Sequence, residues 1–165
     1  MIRVAVVTIS DGVAAGTRED RSGAELLHRA GELGWIVEDR RVVTDDVEAI
    51  SPLLVALASS GAIDVILTTG GTGLGPRDVT PEATRAIADR EVPGFGELMR
   101  SEGAKHTVRA ALSRSAGYTR AEVLILNFPG SPKGALESLE AVAGLIPHAV
   151  DLLHGRTEHH AKLSN

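Results

Sequence analysis

Four glycines and an aspartate crowd the stretch Thr68-Thr-Gly-Gly-Thr-Gly-Leu-Gly-Pro-Arg-Asp-Val-Thr80, which follows directly on the apolar run Asp64-Val-Ile-Leu67. Gly70, Gly71, Gly73 and Gly75 permit positive φ and let consecutive backbone N–H groups converge on one concavity, a nest for anionic oxygen that the Thr72 hydroxyl can supplement. Phosphate is the natural guest. The spacing is not that of a nucleotide-binding P-loop, since no Gly-Lys-Ser/Thr follows. Nor is it a dinucleotide fingerprint, because Gly71-Thr-Gly73-Leu-Gly75 runs into Pro76 before a helix begins. Taken alone, the cluster reads equally well as a tight strand-to-helix turn that needs glycine only for its geometry.

Carboxylates give the turn its chemical interest. Asp78 lies at its end, and Asp45 and Asp46 follow another strand-like run. Each alone serves as well as a helix cap or a solvated turn residue. Gathered beside a phosphate nest, they would repel the phosphate unless a cation lay between, and Mg²⁺ held by one or two aspartates plus phosphate oxygens is the usual solution. Lys133, bracketed by glycine and proline, could neutralise charge on a transferring phosphoryl group, or could be a solvated lysine. The histidines lack the spacing of a metal box: His28 falls on a helix, His148 and His154 on the last one, and His159-His160 in the tail. The basic stretch Lys105, His106, Arg109 meets an anionic substrate or is simply solvated.

These residues need elements to bring them together. Ile2 to Ile9, Trp35 to Val43, Asp64 to Thr69 and Glu122 to Phe128 read as short strands, the first, third and fourth apolar nearly throughout, as strands buried on both faces should be. Between them lie helical patterns. One is capped by Ser22 and stopped by Gly34, with Leu26, Leu27, Ala30 and Leu33 on one face. Another starts at Thr80-Pro81, with threonine as cap. Around Asp46 to Ser59, Pro52 either opens a helix capped by Ser51 or kinks one that starts at Asp46. Gly94 to Arg100, Pro132 to Ala143 and Pro147 to His154 complete the set, with Gly155 as the final stop.

Strands alternating with helices predict an α/β fold with a largely parallel sheet covered on both faces, and right-handed crossovers put the strand-to-helix loops at one edge, where ligands bind. Four segments should emerge there: Ser10-Asp11-Gly12, Thr44-Asp45-Asp46, the glycine loop, and Asn127 to Gly134.

Composition bounds the possibilities. The 165 residues, 43% of them hydrophobic and without a twenty-residue apolar run, suit one soluble domain over 1–155 followed by a loose tail, 156–165. Cysteine is absent, which excludes disulfides and thiolate catalysis. A net charge of −5 with 2% aromatic residues argues against nucleic acid as a partner. Because the first strand begins within two residues of Met1, no signal sequence or membrane anchor is expected, and a cytoplasmic location follows.

In order and spacing, Thr68-Thr-Gly-Gly-Thr-Gly73, Arg77-Asp-Val-Thr-Pro81, Pro93-Gly-Phe-Gly-Glu97, Leu112-Ser-Arg114 and Asn127-Phe-Pro-Gly-Ser-Pro132 resemble the molybdopterin adenylyltransferase family of molybdenum-cofactor biosynthesis. Thr8-Ile-Ser-Asp11 fits as well, so the resemblance runs from about Val4 to Leu153. It implies a three-layer α/β sandwich that forms a homotrimer, transfers AMP from Mg-ATP to the terminal phosphate of molybdopterin, and hands the product to a molybdate-insertion enzyme. By motif, Gly70, Gly71, Thr72 and Gly73 would cradle a phosphate, while Asp78 and, on a weaker match, Asp45 would be catalytic and hold Mg²⁺. Ser113 and Asn127 correspond to pterin contacts, and Ser10, Pro129, Gly130, Ser131 and Lys133 belong to loops expected to line the substrate pocket. Two other readings compete. A non-catalytic molybdopterin carrier or scaffold is disfavoured by the retained Asp45 and Asp78, and a recruited nucleotide hydrolase has no motif of its own.

Overall fold

The structure, a computed structural model, describes residues 1–156, so the expected tail beyond Arg156, with His159 and His160, lies outside the described residues. The strands are β1 (Arg3–Ile9), β2 (Ile36–Val43), β3 (Val65–Thr69), β4 (Arg90–Glu91), β5 (Ala116–Arg120) and β6 (Val123–Phe128), and they form one sheet in the order β2-β1-β3-β6-β5-β4. The first four positions are parallel, and β5 and β4 extend the sheet antiparallel. β1, β3 and β6 are buried almost throughout. β2, at the edge, is mostly exposed, which is why its sequence mixes charged with apolar residues.

Among the described residues, seven α-helices flank this sheet: α1 (Asp11–Ala14), α2 (Arg21–Glu32), α3 (Val47–Ala58), α4 (Thr80–Arg85), α5 (Pro93–Ala104), α6 (Pro132–Val142) and α7 (Ile146–Leu153). Alternation along the strands divides the apolar side chains between two layers. Val4, Val6, Val65, Leu67, Leu124 and Leu126 pack under α2, α5, α6 and α7. Ala5, Val7, Ile66 and Ile125 pack under α3 and α4. The result is the expected three-layer arrangement.

Local chemistry corrects several boundaries. Asp20, not Ser22, caps α2, its carboxylate accepting from Gly23 N at 2.9 Å, while Ser22 is buried inside the helix. Asp46 caps α3 through Ala49 N at 2.8 Å, so the helix starts at Val47 with Pro52 inside it; Ser51 instead donates to Ala83 O. Thr80 is the first residue of α4 rather than its cap, because its hydroxyl is committed to Gly70 O at 2.8 Å.

A partly buried ion pair ties the start of β1 to the entry of β3. Asp64 accepts from Arg3 N at 2.8 Å, Nη2 at 2.7 Å and Nε at 3.2 Å, and His154 Nε2 lies 3.6 Å away. Burial pushes the Asp64 carboxyl up, but the hydrogen bonds and charge of Arg3 outweigh it and hold it below its ordinary value. A depressed carboxylate contributes stability above its unfolded pKa and loses it as pH falls through the folded one. Asp64→Asn should therefore cost about 2 kcal/mol at neutral pH, less than the roughly 3–5 of a fully enclosed pair because Arg3 stays partly exposed. In denaturant melts the difference between wild type and variant should shrink as pH drops below about 4. A pH-independent difference would mean that packing, not charge, accounts for the loss.

Candidate active site

β1 feeds α2 on one face and β3 lies on its other side, so the C-terminal ends of β1 and β3 border a crevice where the strand order reverses. A cleft of about 630 Å³ opens there, lined by Ser10, Asp45, the turn Gly70 to Gly73, Asp78, and Gly130-Ser131. The four segments expected at this edge thus converge.

The glycine turn has the shape its sequence suggests. Gly70 and Gly71 take φ of 104° and 68°, and a Cβ would run into the Ile9 carbonyl at the first and the Thr80 hydroxyl at the second. Both positions therefore need glycine, since the left-handed region and the close approach coincide. Gly70 N is committed to Phe128 O, whereas the amides of Gly71, Thr72 and Gly73 have no acceptor among the described residues. These three are the free donors of the nest.

The carboxylates are held from behind. Asp45 Oδ2 accepts from Asp11 N at 2.8 Å while Asp45 N donates to Asp11 Oδ1 at 3.0 Å. Arg77 grips the same Asp11 carboxylate with two bonds of 3.0 Å and holds it below its ordinary pKa. Asp45 moves the other way: burial, then the charges of Asp11 and Asp78, push its carboxyl up against the lowering hydrogen bond from Asp11. Asp78 Oδ2 accepts from Gly75 N at 2.8 Å. Asp45 and Asp78 each keep one oxygen without a hydrogen bond from the described residues. Asp46 is a different matter, with its oxygens spent on the α3 cap and on Thr44.

Over residues 5–148 the chain matches the model of a family described as a probable molybdopterin binding domain. It belongs to that family. Its sequence is 39% identical to the molybdopterin adenylyltransferase of Helicobacter pylori strain J99 over 156 residues, 93% of this chain and 89% of that protein. The protein of the same name from Escherichia coli K12 is 36% identical over 174 residues, 93% of this chain and 86% of that one. Among solved structures, the molybdopterin biosynthesis enzyme MoaB from Thermus thermophilus superposes with a TM-score of 0.88 at 47% identity, covering 94% of this chain and 98% of that one. The tungsten cofactor synthesizing protein MoaB from Pyrococcus furiosus does so with a TM-score of 0.80 at 31% identity, covering 94% and 97%.

Not every residue expected in the pocket lines the cleft. Ser113, Pro129 and Ser131 line a smaller adjoining cavity of about 210 Å³, with Arg109 and Glu137, and Ser131 borders both. The Ser131 hydroxyl also caps α6, and Ser10 caps α1. Asn127 is fully buried in β6, donating to Thr68 Oγ1 at 3.0 Å, with its own carbonyl oxygen unpartnered among the described residues. Lys133 faces solvent beside Glu137, at 3.7 Å. Lys105 pairs with Glu102, while Arg109 reaches the smaller cavity.

Three residues of the site were not singled out by sequence reasoning. Asp20, almost buried, accepts from Thr8 Oγ1 at 2.9 and 3.0 Å and from Arg40 at 2.9 Å, forming one wall of the cleft. Arg18 lines the cleft and has no carboxylate partner among the described residues. Arg114 clamps the glycine loop from outside. Arg114 stands in the Leu112-Ser-Arg114 motif, and the Asp20-Arg-Ser-Gly23 run carries a cap signal, but an isolated Arg18 carries none.

Proposed function

We propose that this protein is a molybdopterin adenylyltransferase that transfers AMP from Mg-ATP to the terminal phosphate of molybdopterin, releasing pyrophosphate. One observation carries the reading: a glycine turn with three free amides, flanked by two half-buried aspartates, sits where a large cleft meets a smaller cavity at Ser131. The names of the bacterial relatives support it. In this reading the larger cleft takes the nucleotide and the smaller one the pterin, with the two phosphates meeting between them.

A phosphate oxygen attacks the α-phosphorus in line. The new O–P bond forms as the bond to the pyrophosphate leaving group breaks. A phosphate nucleophile needs no strong base at neutral pH, so the protein has to hold two anions together, align them and screen their charge. The amides of Gly71, Thr72 and Gly73 receive phosphate oxygen, and Arg18 adds a cation at the rim of the cleft. Asp45 and Asp78 fit Mg²⁺, since each has a free hard oxygen. Among the described residues no group of three or more acidic or histidine side chains could hold a metal unaided, so substrate oxygens would complete the coordination. When bound, the ion supplies the positive charge that lets the phosphates approach. Homotrimer formation and delivery of the product to a molybdate-insertion enzyme belong to the same proposal, as does a cytoplasmic location; no helix among the described residues is long and apolar enough to cross a membrane.

The reading is tested by incubating the protein with Mg-ATP and molybdopterin and following adenylylated pterin and pyrophosphate together. Equal amounts of both are expected. Tight pterin binding without either product would favour a carrier. On the pterin side, Ser113→Ala removes the hydroxyl of a residue that lines the smaller cavity and shares a 2.8 Å hydrogen bond with Ser115. It should weaken pterin binding about fivefold to tenfold and leave nucleotide affinity unchanged in calorimetric titrations. Unchanged pterin affinity would remove Ser113 from the site.

A further inference from the structure

Arg114 is bonded through all three of its guanidinium nitrogens beside the cleft, yet it does not line it. Its backbone N–H donates to Thr72 O at 2.8 Å, its Nε to Gly73 O at 2.9 Å and its Nη2 to Asp78 O at 2.7 Å, and Nη1 pairs with the Glu82 carboxylate. One planar guanidinium thus joins both ends of the 73–78 loop and pins it to the first turn of α4. A lysine ammonium, with a single nitrogen, cannot reproduce that fork. The loop has few other anchors among the described residues. Leu74 is 68% exposed, and the remaining hydrogen bonds there are the Asp78–Gly75 pair and the Arg77 bridge to Asp11.

The segment that carries Arg114 also forms a wall of the smaller cavity. Ser113, one residue back, lines that cavity, and Arg100 Nη1 fixes the strip from the other side through Ser115 O at 2.8 Å. Residues 113 to 115 therefore hold the two cavities in register, with Ser113 at one and the carbonyls of Gly73 and Asp78 at the other.

Resting on the adenylyl-transfer reading, we propose that Arg114 is a positioning residue: it fixes Gly73 and the Asp78 carboxylate relative to Ser113, so that groups held in the two cavities meet in line. It touches neither substrate, and its effect falls on alignment rather than on binding. A displacement on the scale of 1 Å in such an arrangement can cost about 100-fold in rate.

The test combines amide hydrogen exchange of the ligand-free protein with steady-state kinetics for Arg114→Ala, Arg114→Lys and Glu82→Gln. In Arg114→Ala, exchange at the Gly75 and Asp78 amides should rise about tenfold or more, while amides of β1 and β3 and the unfolding midpoint stay as in wild type. Its kcat should fall about 100-fold, with KM for each substrate within about threefold of wild type. Arg114→Lys should recover only a small part of kcat. Glu82→Gln, which keeps an acceptor for Nη1, should stay within about threefold of wild type. Unchanged loop exchange in Arg114→Ala would overturn the proposal, and so would a loosened loop with wild-type kcat. Exchange that rises equally in β1 and β3 would also overturn it, by making Arg114 a residue of global stability. A wild type that forms no adenylylated pterin would instead bring down the transfer reading, and the exchange data would still decide whether Arg114 holds the loop.

Discussion

Asp78→Asn should lower AMP transfer at least about 100- to 1,000-fold, the scale seen when one electrostatic contact to a transition state is removed, while pterin affinity and the unfolding midpoint stay unchanged. The substitution is nearly isosteric, and the amide oxygen can still accept from Gly75 N, which lies 2.8 Å from Oδ2 in the wild type, so the loop has no reason to move. What disappears is charge at the mouth of the nest. In the proposed reaction two anions must approach, and the screening that permits this depends on the pair Asp45 and Asp78. Removing one member also relieves part of the repulsion that, after burial, raises the Asp45 carboxyl. Asp45 should therefore titrate closer to its ordinary value in the variant, which NMR of its carboxyl carbon would report. Rates measured with Mg-ATP and pterin, alongside pterin titrations, check the main expectation. An equal loss of pterin affinity would place Asp78 among binding groups rather than reacting ones.

Much of the scaffold behind this site is written in simple patterns. β1, β3 and β6 are continuous apolar runs because both their faces are covered, and the glycine turn and its aspartate stand out by composition. The antiparallel part of the sheet is hidden for equally physical reasons. β5, Ala116-Gly-Tyr-Thr-Arg120, has no apolar alternation, and its turn into β6 uses Ala121 at φ 49° rather than an Asn-Gly or Asp-Gly pair. β4 is two residues long and carries no pattern at all. Site residues divide in the same way. Local signals mark Gly70, Asp45 and Asp78, but whether Asp45 or its neighbour Asp46 serves the cleft depends on which one caps α3, and only tertiary geometry decides that. Asn127 and Lys133 sit on the right segment and point away from the cleft's lining, one into the sheet and the other toward solvent, which spacing along a loop cannot reveal. Arg114 acts across the fold on residues 72 to 78, and no local rule connects the two.

Gly70→Ala should be the most damaging single methyl in the protein. At φ 104° an alanine is strained by about 1–3 kcal/mol on backbone grounds alone. Its Cβ would also be driven into the Ile9 carbonyl, which is backbone of a buried strand and cannot swing aside as a side chain would. Relief requires separating the end of β3 from the end of β1, and those ends carry Gly71 to Asp78 on one side and Ser10 on the other. Gly70 also donates to Phe128 O and accepts from Thr80 Oγ1, so a shift there reaches β6 and the start of α4 as well. The expected outcome is a loss of about 3 kcal/mol or more in denaturant unfolding, with transfer activity abolished even under conditions where the chain remains folded. Gly31→Ala makes a clean comparison, because a Cβ at Gly31, inside α2, meets nothing within 4 Å and should be neutral or slightly stabilising. Should Gly70→Ala unfold at the wild-type midpoint and still transfer AMP, the turn would have to be more pliable than its contacts with Ile9, Thr80 and Phe128 allow.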